Sequence, residues 1–185
     1  MSDGSLFSLN PQYLPPEYRN EGYFCPEKDI SANEERALRF ASACCRAEKA
    51  ALRLTARAEQ NRAGLIRKLE QRGHEERCIK AVVTRLGGIG ILDDSRYAAL
   101  WIRARLNRGV CGPYRLIQTL MERGVNRHIA LEARKTVLDF ERETALLIRY
   151  LEKKGLLPEA DPYLKQRLKR EGFSSVVLKA YWESL

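Results

Sequence analysis

Histidine is almost missing from this sequence: His74 and His128 are the only two, and neither stands at ligand spacing from a cysteine pair. A His/Cys zinc site is therefore not expected. The five cysteines (Cys25, Cys44, Cys45, Cys78, Cys111) are odd in number and form no CxxC pair. Neighbours such as Cys44 and Cys45 cannot easily bridge within a helix. They read as small apolar residues in a reducing compartment. No stretch reaches the roughly 18 apolar residues that a membrane span needs. The start, MSDGSLFSLN, has no basic region followed by an apolar run, so no secretory signal is visible. A soluble, cytoplasmic chain with no membrane contact is the expectation. Phosphate-binding glycine loops of the G-x4-GK[ST] type, strand-borne GxGxxG turns and HExxH motifs are absent too. No enzyme, no cofactor and no metal are expected.

Breakers are few, with seven prolines and twelve glycines in 185 residues, and no period-2 run of β-branched residues stands out. Ala, Leu, Glu, Lys and Arg dominate nearly every window, and these are the strong helix formers. The fold class is all-α. The charge is uneven. Of 33 basic and 24 acidic residues, residues 1–33 hold two and five (Arg19, Lys28; Asp3, Glu17, Glu21, Glu27, Asp29), a net of −3. The 31 and 19 that remain give residues 34–185 a net of +12. Such a surface attracts phosphates or acidic proteins, although excess charge also serves plain solubility.

One pattern recurs three times. Leu65-Ile66-Arg67-Lys68-Leu69-Glu70-Gln71-Arg72-Gly73 is echoed by Leu116 to Gly124, 51 residues on, and by Leu164 to Gly172 after a further 48. Each copy ends in Gly, as helix C-termini that turn left-handed require. Each is followed by a second amphipathic run (Cys78 to Leu86, Ile129 to Val137, Val177 to Tyr181) and preceded by a helix, near 34–57, 95–108 and 141–154. Ser31-Ala32-Asn33-Glu34 is a capping box that starts the first of these. The chain therefore reads as three tandem three-helix repeats, stacked in an elongated, curved array as repeat proteins stack. The expected boundaries are 31–91, 92–139 and 140–185, with Asp139 capping the helix that opens the third. Residues 1–30, with Pro11, Pro15, Pro16 and Pro26, are expected to be a flexible tail.

Leu65, Ile66 and Leu69 share a helical face, as do Leu116, Ile117 and Leu120, so the charged residues of each copy point elsewhere. Candidate partner-binding residues are Arg67, Lys68 and Arg72 in the first repeat and Arg103, Arg105, Arg108, Arg115 and Arg123 in the second. Lys165, Lys169 and Arg170 complete the set in the third. The bland reading is that most are solvated side chains whose stems cover apolar surface. Asp93-Asp94 is read as a helix cap with a favourable dipole rather than as a metal or acid/base pair. Trp101 and Trp182 fall at helical apolar positions and are expected in the core.

These residues resemble the RecX family. Gly90-Ile91-Leu92-Asp93-Asp94-Ser95-Arg96-Tyr97-Ala98, followed by Trp101, Arg103 and Arg105, is similar to its Gly-aromatic-Leu-Asp-Asp-x-x-Phe-Ala segment and the basic helix after it. Residues 57–73, and Gly112-Pro113 through Gly124, resemble two further family segments. The likeness covers about residues 50–185. Gly64 departs from the family's Glu and Ile91 from its aromatic residue. The resemblance implies a monomeric, non-catalytic regulator that lodges in the groove of the RecA–DNA filament and inhibits strand exchange, ATP turnover and coprotease activity. Weak contact with single-stranded DNA inside the filament is part of that expectation. The competing reading is a direct helical DNA-binding module with no recombinase specificity.

Overall fold

The computed structural model describes residues 8–20, 29–108, 111–157 and 163–185. They form nine α-helices and two short 3-10 turns, with no strand among the described residues. The helices are α1 (Ala32–Arg57), α2 (Arg62–Glu70), α3 (Glu76–Gly88), α4 (Asp94–Arg108), α5 (Pro113–Glu122), α6 (Arg127–Val137), α7 (Phe140–Lys154), α8 (Leu164–Arg170) and α9 (Ser175–Glu183). They follow one another as three helix trios, α1–α3, α4–α6 and α7–α9.

Local chemistry sets the ends. At α1 the Ser31 hydroxyl accepts from the Glu34 amide (3.3 Å) while the Glu34 carboxylate accepts from the Ser31 amide (2.8 Å), so two otherwise orphaned donors are satisfied together. Asn61 caps α2, Asn126 caps α6, Asp139 caps α7 and Ser174 caps α9, each through its side-chain oxygen. Pro113 opens α5, where its missing N–H costs nothing. The three copies of the Leu-x3-Leu-x3-Gly pattern close alike. Gly73, Gly124 and Gly172 have φ of 75°, 88° and 91°, and the amide one residue later returns to the second leucine's carbonyl: His74 to Leu69, Val125 to Leu120 and Phe173 to Leu168. This is the six-to-one closure that a left-handed residue permits.

The chain divides into two compact units, residues 1–93 and 94–185. In the first, α1 presents small residues (Ala41, Cys44, Ala47, Ala51), all buried, to Leu65 and Leu69 of α2 and to Ile79, Val82 and Leu86 of α3. The expected flexible tail needs correcting in part. Residues 11–13 and 16–18 form the 3-10 turns, and Tyr13 and Leu14 are buried in this core. The prolines exclude α-helix but fit 3-10 turns, and Asn10 holds the segment by donating to the Glu48 carboxylate at 2.7 Å. Residues 1–7 and 21–28 of that tail lie outside the described residues.

In the second unit α4–α6 and α7–α9 share a single apolar cluster, running from Ala98 and Ile102 through Leu116, Leu120 and Leu147 to Leu164, Leu168 and Leu178. The second and third trios are thus distinct in sequence but continuous in packing. Polar links reinforce the join. The Tyr114 amide donates to the Glu171 carbonyl at 2.8 Å. Arg134 of α6 donates to the Glu143 carboxylate of α7 (3.0 Å) and to the Gly172 carbonyl (3.1 Å). All four described cysteines, Cys44, Cys45, Cys78 and Cys111, are free and buried. Burial raises the thiol pKa of Cys44, Cys78 and Cys111, which leaves them protonated and inert as core residues. No helix among the described residues is long and apolar enough to cross a membrane.

Candidate functional site: an arginine groove between α4 and α5

Helix α4 puts Trp101, Ala104, Arg105 and Arg108 on one stripe, spaced i, i+3, i+4 and i+7. Helix α5 brings Arg115 and Thr119, four apart, and Arg123 follows at its C-cap. Together these seven residues line a groove of about 350 Å³. Four of the seven are arginines and none is acidic. The Arg123 guanidinium lies over the Trp101 ring, 5.4 Å from its centroid, and reaches the Tyr97 hydroxyl at 3.4 Å. An aromatic face attracts a cation in this geometry and fixes its direction. Arg105, Arg108 and Arg115 are exposed at the rim. Four forked guanidiniums around one concavity suit oxyanions, which they bind two hydrogen bonds at a time.

The expected basic residues therefore scatter over several surfaces. Arg105, Arg108, Arg115 and Arg123 converge here. Arg103 does not: two residues from Arg105, it faces another groove of α4, with Leu106 and Asn107. Arg67, Lys68 and Arg72 sit in the first unit, where two of them have local duties. Lys68 donates to Gln60 at 2.6 Å, and Arg72 donates to the Lys68 carbonyl at 2.8 Å, closing its own helix end. On α8, Lys165 is exposed with its ammonium 5.6 Å from the Trp182 ring centroid. Lys169 and Arg170, also exposed, occupy the last turn, where a cation offsets the helix dipole. Trp101 and Trp182 are half-buried against the second core rather than enclosed by it. Asp94 opens α4 as the acidic residue of its first turn. Among the described residues no group of three His, Cys, Asp or Glu side chains is placed to hold a metal ion.

Sequence reasoning missed the role of Trp101 and Tyr97 in orienting Arg123. The signal was available: Tyr97, Trp101, Arg105 and Arg108 form one i, i+4, i+8, i+11 stripe.

Three consecutive helix trios, the second carrying an arginine-lined groove, define an all-α protein built of three-helix units. Comparison with known proteins narrows this. The model of the RecX second three-helix domain matches residues 93–133, the stretch that holds the groove. The chain is 33% identical over 143 residues to the regulatory protein RecX of Treponema pallidum, covering 77% of this chain and 87% of that protein. With the regulatory protein RecX of Halorhodospira halophila it is 45% identical over 76 residues, 41% of this chain and 47% of the relative, so that match spans about half the relative's length. The crystal structure of RecX from Lactobacillus salivarius shares the fold, with a TM-score of 0.61 at 22% identity, over 78% of this chain and 97% of that one. This chain belongs to the RecX family.

Proposed function

We propose that this chain acts as a monomeric regulator of the RecA recombinase, binding the RecA–DNA filament and slowing strand exchange, ATP turnover and coprotease activity without catalysis of its own. The supporting observation is the convergence of Arg105, Arg108, Arg115 and Arg123 on one groove, within the segment that matches the family's second three-helix domain. In this reading the groove grips a line of negative charge on the filament, either acidic recombinase side chains or the phosphates of the enclosed single strand. The remaining expected residues, Arg67, Lys68 and Arg72 in the first unit and Arg103, Lys165, Lys169 and Arg170 in the second, lie outside this groove and are secondary contacts in this reading.

The test compares binding to naked single-stranded DNA with binding to RecA-coated DNA at about 0.15 M salt, where non-specific phosphate contacts weaken steeply. Preference for the coated strand, with slowed RecA ATP hydrolysis, is the expected result. Reversing charge at Arg105→Glu and Arg108→Glu together should weaken that binding by at least about tenfold, or 1.4 kcal/mol. The melting temperature should stay put, since both side chains are exposed. Equal affinity for naked and coated DNA would instead favour a direct DNA-binding module. The Trp101 ring, half-exposed among the arginines, is the observation that keeps this second reading in play.

A further inference from the structure

Helix α4 has a second flank. Arg103, Leu106 and Asn107 line one wall of another groove, of about 390 Å³, whose remaining residues are Val137 and Leu138 at the end of α6 and Arg142, Ala145, Leu146 and Arg149 of α7. Its chemistry differs from that of the α4–α5 groove. Leu106, Val137, Leu138, Ala145 and Leu146 make an aliphatic floor, and three arginines with Asn107 stand at the rim. No acidic side chain lines it. Arg142 is partly engaged: it donates to the Val137 carbonyl at 3.2 Å and lies 3.7 Å from Asp139, both side chains being more than half exposed. Arg103 and Arg149 have no such partner among the described residues, and both are exposed.

We propose that this groove binds a short acidic peptide segment of a protein partner, anchored by an apolar side chain. The aliphatic floor gains from covering by an apolar group, and unpaired guanidiniums around it take up carboxylates in forked hydrogen bonds. The volume, at the small end of ligand sites, holds one or two side chains rather than a folded element. Nucleic acid fits less well. A strand needs rings on which its bases stack, and none of the nine lining residues is aromatic. The groove shares no lining residue with the α4–α5 groove, so this proposal stands or falls separately from the filament reading.

The probe is a fluorescein-labelled peptide, Glu-Asp-Leu-Glu-Glu-Leu-Asp-Glu, titrated with the full chain by fluorescence anisotropy at about 0.15 M salt, where exposed charge attraction alone is screened. A version with both leucines replaced by serine, and an eight-nucleotide oligothymidylate, are run beside it. The leucine peptide should bind saturably, the serine peptide at least about fivefold more weakly and the oligonucleotide more weakly still, a gap of about 1 kcal/mol or more. Arg103→Glu with Arg149→Glu should lower peptide affinity at least about tenfold. Ala145→Glu, one exposed helical residue, should do the same by placing a carboxylate in the groove, and it serves if the double variant misfolds. Arg105→Glu with Arg108→Glu should leave peptide binding unchanged. No peptide binding at millimolar concentration, equal binding of the serine peptide, tighter binding of the oligonucleotide, or indifference to both groove variants would each overturn the proposal.

Discussion

Glu143 is nearly enclosed, with a side chain 6% exposed, and it serves two donors. Its Oε1 accepts from Arg134 at 3.0 Å and from the Ser174 amide at 2.6 Å. Removing a buried carboxylate strands the cation and the amide it satisfied. Glu143→Ala should therefore cost about 3–5 kcal/mol, read as a lower urea midpoint, whereas Glu143→Gln should cost less because it keeps an acceptor for Ser174. Protonation gives a second residue-scale prediction. Burial, followed by the nearby Arg46 and Arg72 charges, lowers the His74 pKa below its usual value of 6.5. The unfolded chain then takes up a proton at a pH where the folded chain does not. The resulting penalty is absent above about 6.5 and grows as pH falls through the window down to the folded pKa. Denaturation between pH 7.5 and 5.5 should show stability falling with acid, and His74→Gln should flatten part of that slope. Single residues differed in how legible they were. Ser31, Glu34 and Asp139 announce themselves because a cap works over three residues. Glu143 looks like one more surface charge, since its partner Ser174 lies 31 positions away.

Helix ends and helix faces carry the element scale. Gly73 and Gly172 close equivalent helices, yet their surroundings differ. A Cβ on Gly73 would meet nothing within 4 Å, whereas on Gly172 it would lie 2.5 Å from the Tyr114 amide nitrogen. Gly73→Ala should cost only the left-handed penalty, about 1–2 kcal/mol. Gly172→Ala adds a backbone collision and should cost more, with the two compared by thermal denaturation. The recurrence of Leu-x3-Leu-x3-Gly was readable because each copy fixes its own closure locally. The collision was not, because it depends on which helix packs opposite. Faces explain the site in the same way. Arg103 and Arg105 read as a pair in the sequence, but two residues along a helix are separated by about 200°. The structure accordingly sends them to different grooves. Arg142 and Arg149, seven apart on α7, were passed over because their groove is assembled from three helices.

Across the whole molecule the division into two units, at 93 and 94, organises stability. Leu69 is buried in one core and Leu120 in the other. Leu69→Ala should raise amide hydrogen exchange across residues 32–92 while 94–185 keep their protection, and Leu120→Ala should do the reverse. Each substitution should cost about 2–5 kcal/mol within its own unit. A mass-spectrometric exchange map that changed everywhere for both would show that the chain melts as one. The all-α class and the helix trios were visible beforehand, because a period of about 50 residues survives in composition and spacing. The merging of the last two trios was not, because the sequence shows which faces are apolar and not what covers them. The burial of Tyr13 and Leu14 was equally hidden, as prolines signal only what a segment cannot form.

That merging bears on anyone who would shorten the protein. Cutting after Leu138 looks harmless on paper, since it leaves α4–α6 whole and spares the arginine groove. It would, however, remove Leu147, Leu164, Leu168 and Leu178 from the apolar cluster shared with α4–α6, strip Arg134 of its carboxylate and leave the Tyr114 amide without its acceptor. The shortened product would be a sticky fragment prone to clump, so the smallest deliverable portion of this half is 94–185 kept intact.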